Sequence, residues 1–156
     1  MGLEIERKFL VRDDSYARLA TRIIEIRQGY LSVEPRHTVR VRLWQCGDDH
    51  RGYLTVKGMN NGEIRAEFEY EIPYDDAVLI YDMCSLVIHK VRHVVPWEGL
   101  TWEVDRFLDR HEGLTVAEVE LPDEDTEVVL PPFIGQEVTD DSRYYNSNMA
   151  INCSTG

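Results

Sequence analysis

Two glutamates and a lysine near the start of the chain occupy alternate positions of one predicted strand. Glu4, Glu6 and Lys8 lie in a segment whose β-branched and aromatic residues favour extended structure, so their side chains share one face. Carboxylates held that close repel each other unless a positive charge lies between them, and oxygen ligands suit a hard divalent cation. The lysine adds a phosphate-binding charge to the same face. The pattern therefore predicts a site that brings a metal ion and a phosphate together.

Charged side chains recur at alternate positions of six later segments, and each segment carries almost a single sign. They are Arg40 and Arg42; Lys57; Glu67, Glu69 and Glu71; Lys90 and Arg92; Glu103 and Asp105; and Glu118 and Glu120. A merely soluble surface usually mixes signs and also uses neutral polar residues. Alternation alone does not decide whether this face lies in solvent over an apolar core or lines an interior.

The length and composition indicate one soluble globular domain that spans residues 1–156. The formal net charge of −12 disfavours a general nucleic-acid or anionic-membrane binder, whose surface would be basic. Cys46, Cys84 and Cys153 are odd in number and far apart, which favours reduced thiols in a cytoplasmic protein. No segment approaches the roughly 20 apolar residues of a membrane span.

Hydrophobic alternation predicts eight strands joined by short polar turns. The strands are expected near residues 3–11, 25–32, 38–46, 52–58, 64–72, 87–95, 100–107 and 115–121. Helical patterns are expected at residues 14–20, 75–83 and 144–151. The predicted fold is α+β and mainly β: a closed eight-stranded antiparallel β-barrel with flanking helices, because closure removes exposed strand edges.

A barrel whose charged face points inward would hold a concentrated set of cations and carboxylates. The cations would form a polyphosphate cradle, since arginine forks match phosphate oxygens, and the carboxylates would hold Mg²⁺ or Mn²⁺ against the same oxygens. The apolar face would then point outward, where helices or a partner subunit must cover it. A homodimer is one way to provide that cover.

Taken in order, the motifs resemble those of the CYTH superfamily, the triphosphate tunnel metalloenzymes. The Glu-x-Glu-x-Lys signature stands here as Glu4, Glu6 and Lys8. The other matching segments are 27–31, 40–42, 55–58, 67–73, 90–92, 102–105, 118–120 and 137–144. The resemblance covers essentially the whole chain and is closest to small bacterial inorganic triphosphatases. It implies an eight-stranded tunnel lined by ionisable groups, in which a divalent metal supports hydrolysis of tripolyphosphate to pyrophosphate and phosphate.

The resemblance also implies roles for individual side chains. The implied phosphate-binding residues are Lys8, Arg40, Arg42, Lys57, Lys90, Arg92 and Arg143, the last closing over a tunnel end. The implied metal ligands are Glu4, Glu6, Glu69, Glu71, Asp105, Glu118 and Glu120. The implied catalytic residues are Lys8, Arg42, Lys90 and Tyr30, which would help to orient the terminal phosphate.

Other functions fit the same charged lining. A class IV-like adenylyl cyclase would hold the triphosphate of ATP in the tunnel, although no segment stands out as a base-recognition pocket. Thiamine triphosphate or a nucleoside triphosphate would be an alternative hydrolytic substrate. A non-catalytic polyphosphate-binding module would use the metal only as a bridge. His89 and His93 share the apolar parity of their strand, so we expect structural or surface roles for them.

Overall fold

Nine antiparallel strands make up most of the part of the chain that the computed structural model describes, residues 3–59 and 63–151. The strands are β1 (Leu3–Val11), β2 (Arg22–Ser32), β3 (Thr38–Cys46), β4 (Asp49–Lys57), β5 (Ile64–Ile72), β6 (Val87–Trp97), β7 (Leu100–Phe107), β8 (Thr115–Glu120) and β9 (Ile134–Glu137). The helices are α1 (Tyr16–Leu19), α2 (Tyr74–Asp82) and α3 (Asn146–Ile151). Single 3₁₀ turns cover Asp109–His111 and Ser142–Tyr144.

The first eight strands close into a barrel. Their order is β5-β4-β3-β2-β6-β7-β8-β1, and pairing of residues 3–5 in β1 with residues 64–66 in β5 completes the ring. The predicted closed eight-stranded antiparallel barrel is therefore confirmed. The ninth strand, β9, pairs with the far end of β1; it was not predicted, because a strand of four residues is too short to show alternation.

The predicted helices are present, with shifted ends. The segment expected at 14–20 shortens to α1, and the one expected at 75–83 is α2, which follows Pro73 and carries Asp75 and Asp76 in its first turn. Carboxylates there favour helix initiation through the helix dipole. The third helix, α3, begins two residues later than expected, because residues 142–144 form a 3₁₀ turn instead.

Most of the apolar core lies on the outside of the barrel wall. One cluster packs the outer faces of β1, β6, β7 and β8 against α1 and the segment after β8, with Trp102 and Phe133 fully buried. A second cluster packs Val41 and Leu43 of β3 against Ala77 of α2. These elements provide much of the cover that an outward apolar face requires, so the charged parity is free to face inward.

Close contact between α2 and the barrel depends on a glycine in β4. A Cβ atom built on Gly52 would lie 2.5 Å from the Cβ atom of Ala77, far inside van der Waals contact. Glycine is therefore needed at this position for the helix to approach the strand, rather than for an unusual backbone angle.

A third apolar cluster fills one end of the bore. It combines inward-facing Tyr30, Ile88 and Phe107 with Met149 and Ala150 of α3. The C-terminal helix thus packs against this end of the barrel, and the polar cavity lies on the other side of the cluster.

Two further expectations concern cysteines and membranes. Cys46 and Cys84 are free thiols, and Cys153 lies outside the described residues. Among the described residues, no helix has the length and hydropathy needed to cross a membrane.

Candidate active site

A cavity of about 190 Å³ occupies the bore of the barrel, and its wall is strongly charged. Seven basic side chains line it: Lys8, Arg40, Arg42, Lys57, Arg65, Lys90 and Arg92. Seven carboxylates line it as well: Glu4, Glu6, Glu67, Glu69, Glu103, Glu118 and Glu120. The charged face of the strands therefore points into the barrel, and the alternative of a solvated outer face is wrong for this chain.

Asp105 anchors the cationic wall from below the cavity. It accepts two hydrogen bonds from Arg92, at 2.8 and 2.9 Å, and its Oδ2 lies 2.7 Å from Lys90 Nζ. Burial alone would raise the pKa of Asp105, but Arg92 and Lys90 outweigh it and hold that pKa well below its ordinary value. Asp105 is thus a fixed negative charge that keeps two cations in place.

The cations are crowded, and the crowding favours an anion. Burial, with repulsion from Arg92 and Arg42, lowers the pKa of Lys90 to about 7 despite Asp105. Burial and the neighbouring Arg40 and Arg92 lower the pKa of Arg42 to about 10. Bound phosphate oxygens would relieve this repulsion, because they place negative charge among the three guanidinium groups and the ammonium.

Other cations pair with carboxylates across the bore. Lys57 Nζ lies 3.3 Å from Glu4 Oε1 and 3.2 Å from Glu67 Oε2. Arg40 Nη2 lies 3.7 Å from Glu69 Oε2, which also accepts a 2.8 Å hydrogen bond from the Thr55 hydroxyl. These pairs tie adjacent strands together around the cavity.

The carboxylates on β1 lack enough positive charge around them. Burial and repulsion by Glu118 raise the pKa of Glu6 to about 8, and burial, with Glu67 and Glu118, raises that of Glu4 to about 7 even though Lys57 opposes the shift. Glu6 stands directly opposite Glu120 in the β1–β8 register. In the described part of the chain, neither Glu6 nor Glu120 forms a salt bridge within 4.0 Å.

This oxygen-rich cluster fits a hard divalent cation. Carboxylates whose pKa is raised by burial and then by mutual repulsion gain a partner when a cation binds, and Mg²⁺ and Mn²⁺ prefer oxygen ligands. Within residues 3–59 and 63–151, no three His, Cys, Asp or Glu side chains already converge closely enough to hold a metal. The arrangement suits a cation that is coordinated jointly by glutamates and substrate oxygens, as Mg²⁺ commonly is with phosphates.

Twelve of the sequence-predicted site residues lie together in the cavity wall. They are Glu4, Glu6, Lys8, Tyr30, Arg40, Arg42, Lys57, Glu69, Lys90, Arg92, Glu118 and Glu120. Three others do not. Asp105 lies beneath the wall with both oxygens bonded to cations. The Glu71 side chain is 57% exposed at the outer end of β5, 3.9 Å from Arg51. Arg143 is 78% exposed and pairs with Asp141 at 2.6 Å, so it does not close over the cavity.

Several cavity residues were missed by sequence reasoning. Glu67 belongs to the charged alternation found in the sequence but was given no site role, and Arg65, which shares its inward parity on β5, was not noted. Thr139, Tyr145, Asn146 and Ser147 also line the cavity. The helix that begins at Asn146 was expected, but these four side chains are uncharged and lie outside the charged alternation of the strands, so nothing in the sequence marked them as site residues.

Comparison with known proteins agrees with this geometry. The family model of the CYTH domain matches residues 2–149. The chain is 48% identical over 154 residues to an inorganic triphosphatase of Acetivibrio thermocellus, covering 97% of this chain and 96% of that protein. It is 33% identical to an inorganic triphosphatase of Nitrosomonas europaea, with coverage of 95% and 97%. The crystal structure of the inorganic triphosphatase NE1496 superposes with a TM-score of 0.64 at 29% identity, over 95% of this chain and 97% of that chain.

The sequence, the closed barrel and the inward-facing charges thus all lead to one assignment. The chain belongs to the CYTH domain family.

Proposed function

We propose that this protein is a metal-dependent inorganic triphosphatase that hydrolyses tripolyphosphate to pyrophosphate and phosphate inside the barrel. One observation carries the proposal: among the described residues, cations and carboxylates in equal number line the cavity of about 190 Å³ in the bore. The inorganic triphosphatases among its relatives, at 48% and 33% identity, support the same activity.

The cationic wall would bind and polarise the substrate. Arg40, Arg42 and Arg92 offer forked donors to phosphate oxygens, while Lys8 and Lys90 act as point charges. Because the buried guanidinium and ammonium groups are held by the barrel before substrate arrives, they stabilise charge on the phosphoryl oxygens without reorganisation. Tyr30 lines the same cavity, where its hydroxyl can contact the terminal phosphate.

The carboxylate wall would hold the cation. Glu4, Glu6, Glu118 and Glu120 are the proposed ligands, with Glu67 and Glu69 beside them, and Mg²⁺ or Mn²⁺ is the proposed ion. When bound, such an ion neutralises phosphate charge and activates water for attack on phosphorus. We leave Glu71 and Asp105 out of the ligand set, because Glu71 lies outside the cavity and Asp105 is fully engaged by Lys90 and Arg92.

A single assay separates this function from its competitors. Purified protein with Mg²⁺ or Mn²⁺ is offered tripolyphosphate, ATP or thiamine triphosphate separately, and phosphate, pyrophosphate and cyclic AMP are quantified. We expect fastest turnover of tripolyphosphate, with equal amounts of phosphate and pyrophosphate. Cyclic AMP from ATP would identify a cyclase instead. Tight binding of tripolyphosphate without any product would identify a binding module.

We also propose a homodimer, because part of the barrel's outer face remains uncovered. Phe68 and Tyr70 point outward from β5 and are 48% and 61% exposed. If a second copy covers them, the Phe68→Ser/Tyr70→Ser variant will sediment as a monomer where the parent sediments as a dimer. A parent that sediments as a monomer would contradict this part of the proposal.

The free thiols Cys46 and Cys84 support our expectation of a cytoplasmic location.

A further inference from the structure

Lys90 is oriented by two acceptors of different charge. Its Nζ lies 2.7 Å from Asp105 Oδ2 in the barrel wall and 2.7 Å from Asn146 Oδ1 at the start of α3. An ammonium has three N–H donors, so these contacts leave one donor for the cavity that Lys90 lines.

Lys8 is held in the same way by a different pair of oxygens. Its Nζ lies 3.3 Å from Glu118 Oε1 and 3.0 Å from the carbonyl oxygen of Tyr144. Each lysine therefore has one carboxylate partner from the barrel and one neutral carbonyl partner from residues 144–146. In both cases the neutral acceptor comes from the C-terminal segment.

Asn146 is also connected to Arg42, through the side chain of Gln28. The Gln28 amide nitrogen donates to Asn146 Oδ1 at 3.2 Å, and Gln28 Oε1 accepts from Arg42 Nε at 3.0 Å. Gln28 is fully buried and its amide nitrogen also donates to the Tyr30 hydroxyl at 2.7 Å. This chain of hydrogen bonds links Asn146 to Lys90, Arg42 and Tyr30 at once.

We propose that Asn146 is a positioning residue for the phosphate site: its neutral Oδ1 aims Lys90 and, through Gln28, Arg42 at the same phosphoryl group. The inference deepens the proposed function and rests on it. The essential property of the Asn146 side chain is that it carries no charge. A second carboxylate at this position would accept the same hydrogen bonds. It would, however, offset the positive charge of Lys90 and repel the polyanionic substrate.

This charge requirement can be tested with two variants of Asn146. A purely structural role and a positioning role predict opposite rankings of their effects on activity. The variants are Asn146→Asp, which keeps the acceptor and adds a charge, and Asn146→Ala, which removes the acceptor. If Asn146 only secures α3 through hydrogen bonds, Asp will be the milder change. If it positions cations for phosphate, we expect kcat/KM for tripolyphosphate to fall about tenfold in Asn146→Ala and about 10²-fold in Asn146→Asp.

Asn148→Asp is the matched control, because it makes the same change two residues away. Asn148 donates to the Ser142 carbonyl at 2.9 Å and does not line the cavity, so we expect near-parental kcat/KM. Thermal unfolding of all three variants would verify folding, and calorimetric titration with tripolyphosphate in the absence of divalent metal would report binding independently of turnover.

The outcomes separate the inference from the function. Weaker tripolyphosphate binding in the order parent, Asn146→Ala, Asn146→Asp supports the inference even if the parent shows no hydrolysis, which would overturn the proposed function alone. If the parent is active and the Asn146→Asp variant binds tripolyphosphate and turns it over at least as well as the Asn146→Ala variant, the inference is overturned and the proposed function stands. A parent that neither binds nor hydrolyses tripolyphosphate overturns both.

Discussion

At the scale of single residues, partners rather than residue type decide what each charge does. Asp105 and Glu6 are both carboxylates at inward-facing strand positions, yet their pKa values shift in opposite directions. Cations around Asp105 favour its charged form, whereas burial and the neighbouring carboxylates favour the protonated form of Glu6. The first is suited to fixing cations, and the second to receiving a metal ion.

Removing a cation from the wall should impair catalysis without unfolding the protein. We expect Arg42→Ala and Lys8→Ala each to lower kcat/KM for tripolyphosphate by on the order of 10²-fold or more, because each removes charge aimed at the reacting phosphate. Steady-state kinetics on folded variants would measure this. Arg106→Ala is the control, since Arg106 is exposed on the opposite face of β7; equal losses in all three variants would contradict the assignment.

Two glutamates with the same predicted role should behave differently. Glu6 lines the cavity, while Glu71 does not. We expect Glu6→Gln to need roughly tenfold or more Mg²⁺ or Mn²⁺ for half-maximal activity, because it removes a charged ligand. Glu71→Gln should keep the parental metal dependence. Activity measured against metal concentration would test this, and a larger effect at Glu71 would refute the structural assignment.

At the scale of elements, the barrel positions the site by turning its apolar faces outward. Strand β3 shows how: its odd-numbered Val41 and Leu43 are buried near α2, while its even-numbered Arg40 and Arg42 line the cavity. The helices therefore take the place that a central hydrophobic core holds in many β proteins. Their packing against the wall maintains the spacing of the charges inside.

The contact between β4 and α2 offers a test of that dependence. Gly52→Ala should destabilise the protein by about 1–3 kcal/mol, because the new methyl group would overlap Ala77. Ala77→Gly in the same chain should restore part of the loss, so the double variant will be more stable than the sum of the single effects predicts. Denaturant unfolding would measure the coupling; strictly additive effects would show that the helix does not press on the strand.

At the scale of the whole molecule, the lining should make stability depend on pH. The pKa values of Glu4 and Glu6 rise from 4.5 to about 7 and about 8, so the folded state binds more protons than the unfolded state between pH 4.5 and 7. Without metal, stability should therefore fall as pH rises through this window. Lys90, whose pKa falls to about 7, acts in the opposite sense, but only above that pH.

Thermal unfolding at pH 5 and pH 7 would measure this effect. The Glu4→Gln/Glu6→Gln variant should show a smaller decline, because both titrating groups are gone. Added Mg²⁺ or Mn²⁺ should stabilise the parent more at pH 7 than at pH 5, since ligands must lose their protons to bind metal. A parent whose stability rises steadily over this range without metal would contradict the shifts.

The sequence allowed the barrel and most of its lining to be predicted, for a definite physical reason. Alternation with period two is a local signal, and ionic side chains at one parity, such as Arg40 and Arg42, made it strong. The resemblance to a known family was still needed to decide that this parity faces inward. Asp105 shows the limit: its parity was right, but only three-dimensional contacts reveal that Lys90 and Arg92 occupy its oxygens. Asn146 lies at the start of a helix that the sequence predicted, but it is a neutral residue outside the charged alternation, so no local pattern indicates its role.

Because an apolar shell surrounds a charged bore, the stability of this protein and its catalytic activity place opposite demands on the residues inside the barrel. Replacing buried ion pairs by well-packed hydrophobic residues often leaves proteins equally or more stable, and the shell clusters around Trp102 and Val41 do not depend on the bore for their own packing. Directed evolution of this chain for heat resistance alone should therefore accumulate hydrophobic substitutions inside the barrel first. The resulting variants should be more thermostable than the parent but catalytically inactive.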